Sequence, residues 1–417
     1  MSISIFDVIV IGGGPAGMMA AGRAAECGKK VLLLEKNPSL GKKLLITGGG
    51  RCNVTNNKTN NRTMLAKYKG NDKFLFSAFA QFNVESTLQF FHSRGMETKE
   101  ENEGRIFPVS NSAQSVWDVL VDYLQTEKVT VQTSAHVSDI SLDAEQNIVV
   151  TLKDKTKIIA KSVVVATGGV SRPETGSTGE GFEWLAKLGH TIIANDFALV
   201  PISLKDVWAK KLGGVTLKDI KLTIYQNEQK QSAHKGKLLF THVGISGPTV
   251  LNLSREVGEL LKYGPVVIML DLLPHLDHAL LKAQLQELLI GESNKLIKNT
   301  LPKIIPSALV ASLLAMANVN GDTPNHSVST EDRKKMVQLF KAVPLQVKGL
   351  LGSDKAVVSS GGVDLREVDF KTLQSRLIPN LYLVGDVLNI DRPSGGYSLQ
   401  LCWTTGYVAG SHAAEPT

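Results

Sequence analysis

Cysteine is scarce in this 417-residue chain: Cys27, Cys52 and Cys402 stand far apart. No C-x-x-C pair joins any two of them, which excludes a dithiol redox centre and a cysteine zinc site, and no metal is expected. Such sparse cysteine fits a reducing compartment, so a cytoplasmic location is expected. Long hydrophobic runs are also lacking. The longest apolar stretches are cut by Asp271 and Pro306 before reaching eighteen residues, so no membrane span is expected. The first residues lack the cationic segment, apolar core and small-residue cleavage site of a signal peptide. Internal repeats, low-complexity linkers and RRM, KH, zinc-finger or P-loop patterns are all missing.

A hydrophobic content of 43% is enough for two or three domains with sizeable cores. The net charge of +7 is unevenly spread. Between Asn195 and Leu350 there are nineteen Lys or Arg against thirteen Asp or Glu, so nearly all the excess lies in the middle third. A solvated lysine-rich surface is the plain explanation; a face for an anionic partner such as RNA is the sharper one.

The most informative stretch comes first. Asp7 to Ile11 is short, apolar and β-branched, the pattern of a strand buried on both faces of a parallel sheet. It breaks into Gly12-Gly13-Gly14-Pro15-Ala16-Gly17, which matches G-x-G-x-x-G. The first glycine permits the tight turn, the second lets backbone approach a pyrophosphate, and the third lets helix pack on strand. An Ala-rich helix from Met18 to Cys27 follows, and its first NH groups form an anion site. A second strand, Lys30 to Glu35, ends in a carboxylate placed to accept the ribose hydroxyls of an adenosine. Strand, glycine turn, helix and acid in that order predict dinucleotide binding, with NAD or FAD still open.

Residues 39 to 56 contain three consecutive glycines followed by Arg51, Cys52 and Asn53, with Asn56 closing the loop. Backbone NH groups there can form an anion-binding nest, Arg51 can fork onto a phosphate or a flavin carbonyl, and the asparagines can fix the loop. This stretch resembles the signature of the BaiN/YhiN-like family of FAD-binding flavoproteins, some of which carry the label aminoacetone oxidase. Glu103 to Ser110, Ser162 to Gly169, Lys355 to Val363 and Leu381 to Asp386 resemble further blocks of that family.

The resemblance implies an α/β fold: a discontinuous Rossmann-like FAD-binding domain with a central parallel sheet, an inserted β-rich domain and a helical cap. Boundaries fall at 1–193 and 348–417 for the two parts of the FAD domain, 194–272 for the β-rich insert and 273–347 for the cap. In the insert, short alternating strands cover Leu199 to Leu204, Lys218 to Tyr225, Lys237 to Phe240 and Pro265 to Leu270. Helical spacing covers Ala279 to Ile290, Ser307 to Ala317 and Thr330 to Ala342.

The implied cofactor contacts begin with Gly12, Gly14, Pro15, Ala16, Gly17, Glu35 and Lys36. Lys43, Gly49, Gly50, Arg51, Cys52 and Asn53 add the glycine loop. The backbone of Val137 would meet the adenine, and Ala166, Thr167, Gly168 and Gly169 would close over the cofactor. In FAD enzymes of this build the acid matching Asp386 accepts hydrogen bonds from the ribityl chain, which decides for FAD over NAD. Gly385 precedes it, and Gly395, Gly396, Tyr397 and Ser398 open a last helix whose NH groups can favour the charge of a reduced flavin. Two departures stand out: the family usually has Gly-Glu at Gly385-Asp386. It also usually has a glycine-containing turn and Gly-Gly-Tyr-Asn where this chain has Asn389 to Pro393 and Ser398.

The expected activity is reduction: NAD(P)H, visiting transiently, would reduce FAD, and flavin N5 would pass hydride to an activated C=C bond. Family members are linked to unsaturated steroid acids and to dihydrouridine in ribosomal RNA, and the basic insert makes RNA the more interesting substrate here. Candidate proton donors are His242 and Ser246, in a Thr-His-Val-Gly-Ile-Ser loop that by resemblance faces the flavin, together with Cys52 and Tyr397. A small-amine oxidase and a flavin-carrying RNA or ribosome binder without turnover are the alternatives. The number of subunits is left open.

Overall fold

The computed structural model describes residues 5–68, 70–193, 197–261, 263–351, 358–359 and 361–415. Strand β1 (Ile5–Ile11), helix α1 (Pro15–Glu26) and strand β2 (Val31–Leu34) form as the alternation of apolar and glycine residues dictates. Val8, Ile9, Val10 and the four residues of β2 are buried, as expected of strands covered on both faces. Each such side chain contributes about 1.5–3 kcal/mol relative to exposure.

Around β1 the sheet runs in the order Thr130–Gln132, β2, β1, Lys157–Val165, Ile148–Leu152, Val137–Leu142, with Leu381–Leu383 also pairing Lys157–Val165. The pairs β2 with Thr130–Gln132, β1 with β2, β1 with Lys157–Val165, and Lys157–Val165 with Leu381–Leu383 are parallel. The other two strands pair antiparallel. A strand near the carboxy terminus thus completes the sheet begun at the amino terminus, which is the expected discontinuous Rossmann-like fold. The last helix, Tyr397–Ala413, packs on α1 at close range: a Cβ on Gly406 would lie 2.4 Å from the Ala16 carbonyl oxygen, and one on Gly410 would lie 2.5 Å from that of Ala20.

The chain divides into two compact units, Met1–Phe197 with Ser353–Thr417, and Ala198–Gly352. The second is a closed antiparallel barrel of six strands in the order Ile202–Leu204, Gly244–Ser246, Gln229–Thr241, Thr216–Gln226, Val266–Asp271, Val343–Leu350. Helices His278–Gly291, Ser307–Ala317 and Thr330–Lys341 lie in sequence between its last two strands and share its apolar core. Among the described residues no helix is long and apolar enough to cross a membrane. Residues 355–357 and 360 of the expected Lys355 to Val363 segment lie outside the described residues.

Candidate functional site

The glycine turn after β1 separates into two kinds of position. A Cβ on Gly12, where φ is +108°, would lie 2.5 Å from the carbonyl oxygen of Ala166, and one on Gly17 would lie 1.8 Å from that of Gly12. These two are closed by the protein's own backbone. A Cβ on Gly14 would meet nothing within 4 Å. Gly14 is therefore the point at which another molecule's phosphate can approach the chain. Pro15 occupies the first helical position, where its missing NH costs nothing, and α1 has no side-chain cap and no acid in its first turn. Its free NH groups and the positive end of its dipole suit an anion.

Glu35 is buried at the end of β2 and accepts the NH of Gly13 at 2.7 Å and both Asn37 nitrogens, each at 2.7 Å. It locks the glycine turn to the neighbouring strand while keeping one of about four lone-pair sites for a further donor such as a ribose hydroxyl. Lys36 donates to Thr178 and Glu180, each at 2.6 Å, and His136 also meets Glu180 at 2.9 Å. Val137, buried, starts the adjacent antiparallel strand.

In the glycine loop Gly48, Gly49 and Gly50 all have left-handed φ, between +58° and +83°. The Arg51 guanidinium is held by Glu101 and by Asn111 at 2.6 Å, and stacks 4.3 Å from the centre of the Phe107 ring. It anchors the loop to the protein. Cys52 is fully buried in the left-handed region, φ +59°, and burial pushes its thiol up to about 12 despite a bond with Thr47. The Asn53 amide, oriented to satisfy both ends, donates to the carbonyls of Thr55 and Ile106 and accepts the Gly396 NH at 2.9 Å.

Strand Lys157–Val165 delivers Ala166, whose NH donates to Ile11 at 2.8 Å, then Thr167, Gly168 and Gly169. The Thr167 hydroxyl is buried with no partner among the described residues. The Thr167 backbone flanks Gly12, while its hydroxyl lies against Gly181, near the start of helix Glu180–Lys187.

The carboxy-terminal segment comes to the same place. Gly385, φ +64°, lies against Ala16, since a Cβ there would stand 3.1 Å from the Ala16 methyl. Asp386 bonds Arg392 and lies 3.5 Å from Lys43, which also donates to Ser171 at 2.7 Å. Burial works to raise the Asp386 carboxyl, and the charges of Arg392 and Lys43 outweigh it, holding the group below the ordinary carboxylate range. Arg392 is itself buried, donating also to the Ile390 carbonyl at 2.6 Å and to Ser398 at 3.1 Å.

Gly395 and Gly396 both have positive φ, and a Cβ on Gly396 would strike the Thr55 carbonyl at 2.3 Å. Tyr397 then opens the last helix, which again has no side-chain cap and no acid in its first turn. The Tyr397 ring is buried edge-on to Tyr68, and burial pushes its phenol up to about 12.

The other two candidate donors belong to the barrel unit. His242 is exposed at the turn between strands Gln229–Thr241 and Gly244–Ser246, and Ser246 ends the second, facing Leu239. Sequence reasoning missed two neighbours of Asp386: Arg392 and Cys402, whose thiol burial and the Asp386 charge push up to about 12. Arg392 stands in the very segment that departs from the family pattern, which was its signal; Cys402 carried none.

The candidate nucleotide-binding residues suit a dinucleotide by their own geometry: an open Gly14, two uncapped helix starts and an Asp386 carboxyl held below the ordinary range. The family described as "HI0933-like protein Rossmann domain" matches residues 6–412. The chain is 32% identical over 410 residues to the 3-dehydro-bile acid delta(4,6)-reductase of Clostridium scindens, covering 97% of this chain and 98% of that one. It is 30% identical over 405 residues to the ribosomal RNA dihydrouridine synthase of Escherichia coli, covering 97% and 96%. In fold it is similar to the 3-ketosteroid delta1-dehydrogenase of Sterolibacterium denitrificans, with a TM-score of 0.55 at 14% identity over 98% of this chain and 99% of that one.

Proposed function

The chain belongs to the HI0933-like Rossmann family of FAD-dependent oxidoreductases, and from that premise we propose that it is a reductase acting on an activated carbon-carbon double bond, with an RNA uracil as substrate. NAD(P)H is the proposed electron donor, a transient visitor, because the sequence has one complete dinucleotide motif. The observation that carries the reading is that two relatives matched over nearly their whole length are named as a delta(4,6)-reductase and as a dihydrouridine synthase.

FAD, when bound, supplies the hydride chemistry. The chain supplies the rest. Gly12 to Gly17 and the start of α1 hold the pyrophosphate, and Glu35 takes the adenosine ribose. Asp386, kept ionised by Arg392 and Lys43, acts as an acceptor for hydroxyls of the ribityl chain. The start of helix Tyr397–Ala413 stabilises negative charge on the ring side. The proton for the substrate carbon comes from Tyr397, at the start of that helix; Cys52 is fully buried, and His242 and Ser246 belong to the barrel unit. Tyr397 keeps its proton at neutral pH, and a donor that weak serves only a strongly basic carbon.

The test is anaerobic mixing of the yellow protein with NADH and NADPH, followed by a uracil-containing RNA oligonucleotide as oxidant. Bleaching by a nicotinamide and recovery of colour with RNA support the reading; bleaching by small amines alone, or by nothing, contradicts it. Mass measurement of ribosomal RNA from a deletion strain is the companion test, with loss of a dihydrouridine expected. The 32% identity to the bile-acid enzyme supports a second reading, a small unsaturated ketone as substrate. Recovery of colour with such an enone but not with RNA would favour it.

A further inference from the structure

We infer that the outer face of the barrel hairpin Thr216–Gln226 and Gln229–Thr241 docks single-stranded RNA. The inference takes RNA as the partner from the reading above, yet concerns binding alone. Residues opposite one another on antiparallel strands point the same way, and here Leu222 and Ile224 face the barrel core. Their neighbours Lys221, Thr223 and Tyr225 therefore point outward. In register, Lys221 lies between Lys235 and Asp271, Thr223 between Ala233 and Met269, and Tyr225 between Lys230 and Val267. This face borders a groove of about 1020 Å³ whose other wall is the segment from Pro274 to His278.

The charge on the hairpin has no internal explanation. Lys221 is set directly opposite Lys235, a like-charge pair that costs stability in a sheet. Among the described residues none of Lys218, Lys221, Lys230, Lys235 and Lys237 has a carboxylate within 4.0 Å. In the same unit Lys295, Lys298, Lys303, Lys335 and Lys341 each do. The acids of the groove are already engaged: Asp271 pairs with Lys341 at 2.7 Å, and Asp277 caps a helix by accepting the Leu280 NH. Glu228, at the hairpin turn, is the exception. Set against Asp219 and Glu228, the five lysines leave the ribbon with three uncompensated positive charges, which suit phosphates.

Tyr225, Val267 and Met269 form an apolar strip beside these lysines. A duplex offers phosphates but hides its base faces, whereas a single strand can lay bases on such a strip while its backbone meets the cations.

The probe is a fluorescein-labelled, 20-nucleotide single-stranded RNA titrated onto the flavin-loaded protein at several salt concentrations. Replacing Lys221, Lys230 and Lys235 together by Ala should weaken binding at least tenfold. It should also flatten the slope of log K against log salt by about two, at roughly 0.7 for each phosphate left without its lysine. Tyr225→Leu should weaken binding about tenfold with the slope unchanged. Lys298→Ala, which removes one charge elsewhere in the unit, should change neither. The flavin spectrum and melting temperature report folding, and Lys230→Gln with Lys235→Gln repeats the test if the triple variant does not fold. The inference is overturned if the wild-type protein ignores the RNA or if the triple variant keeps its affinity and slope. Equal affinity for a duplex of that length, or binding to phosphatidylglycerol vesicles in place of RNA, overturns it as well. Loss of NAD(P)H-dependent reduction of a small enone would count against the activity and leave the surface standing.

Discussion

Gly385 packs against Ala16, so the residue before the carboxy-terminal acid touches the second residue of the first helix. Two ends of the chain thereby build one site, with Lys43 reaching Asp386 from the loop after β2. Ala16 sits at the uncapped start of the first helix, the proposed phosphate site, and Gly385 has no side chain to hold the two segments apart.

Asp386→Asn should weaken FAD binding by about ten- to a hundredfold, the range for losing hydrogen bonds to a charged acceptor. It also strands the charges of Arg392 and Lys43. Fluorescence titration of the flavin-free protein with FAD measures this. An unchanged affinity would remove Asp386 from the site.

Gly14→Ala and Gly17→Ala should separate binding from folding. The added methyl at 14 meets no protein atom within 4 Å, so the melting temperature of the flavin-free protein should stay put while FAD affinity drops at least tenfold. At 17 the methyl would lie 1.8 Å from the Gly12 carbonyl oxygen, and stability should fall by about 1–3 kcal/mol or more. Thermal melts with and without FAD read both.

The three thiols should react unequally. Cys27 is exposed, whereas Cys52 and Cys402 are pushed up to about 12 and stay as thiols at pH 8. Brief treatment of the native protein with iodoacetamide should modify Cys27 alone, the other two following only after unfolding. Peptide mass mapping checks this, and rapid labelling of Cys52 would contradict its buried place.

His190 should make stability sensitive to mild acid. Its ring is buried between Glu367 at 3.1 Å and Ser375 at 2.9 Å. Burial lowers its pKa from the ordinary 6.5, and the Glu367 charge offsets this only in part. The unfolded chain therefore takes up the proton first as pH falls. The contribution is complete above about pH 6.5 and declines as pH drops from there toward the folded value. Urea midpoints should fall between pH 7 and 5, and His190→Gln should flatten that decline.

What the sequence made readable was local. The strand, glycine turn and helix from Ile5 to Glu26 follow from β-branching, glycine placement and alanine content, which act over a few residues. The barrel was less readable. Its last strand, Val343–Leu350, comes after the helical stretch from His278 to Lys341, so closure depends on pairing with Val266–Asp271 and Ile202–Leu204 far back in the chain. Partners of charged side chains were hidden for the same reason. Arg51 looked free to meet a phosphate, yet Glu101, Asn111 and Phe107 hold it. Asp386 gave no hint that Arg392 and Lys43 would keep it ionised.

The most direct measurement is an equilibrium titration of the flavin-free protein, its Gly14→Ala variant and its Asp386→Asn variant with FAD. One FAD per chain is expected, with affinity lost in both variants although their changes lie at opposite ends of the sequence. A protein that binds no FAD, or two variants that bind as tightly as the unaltered chain, would contradict the shared site.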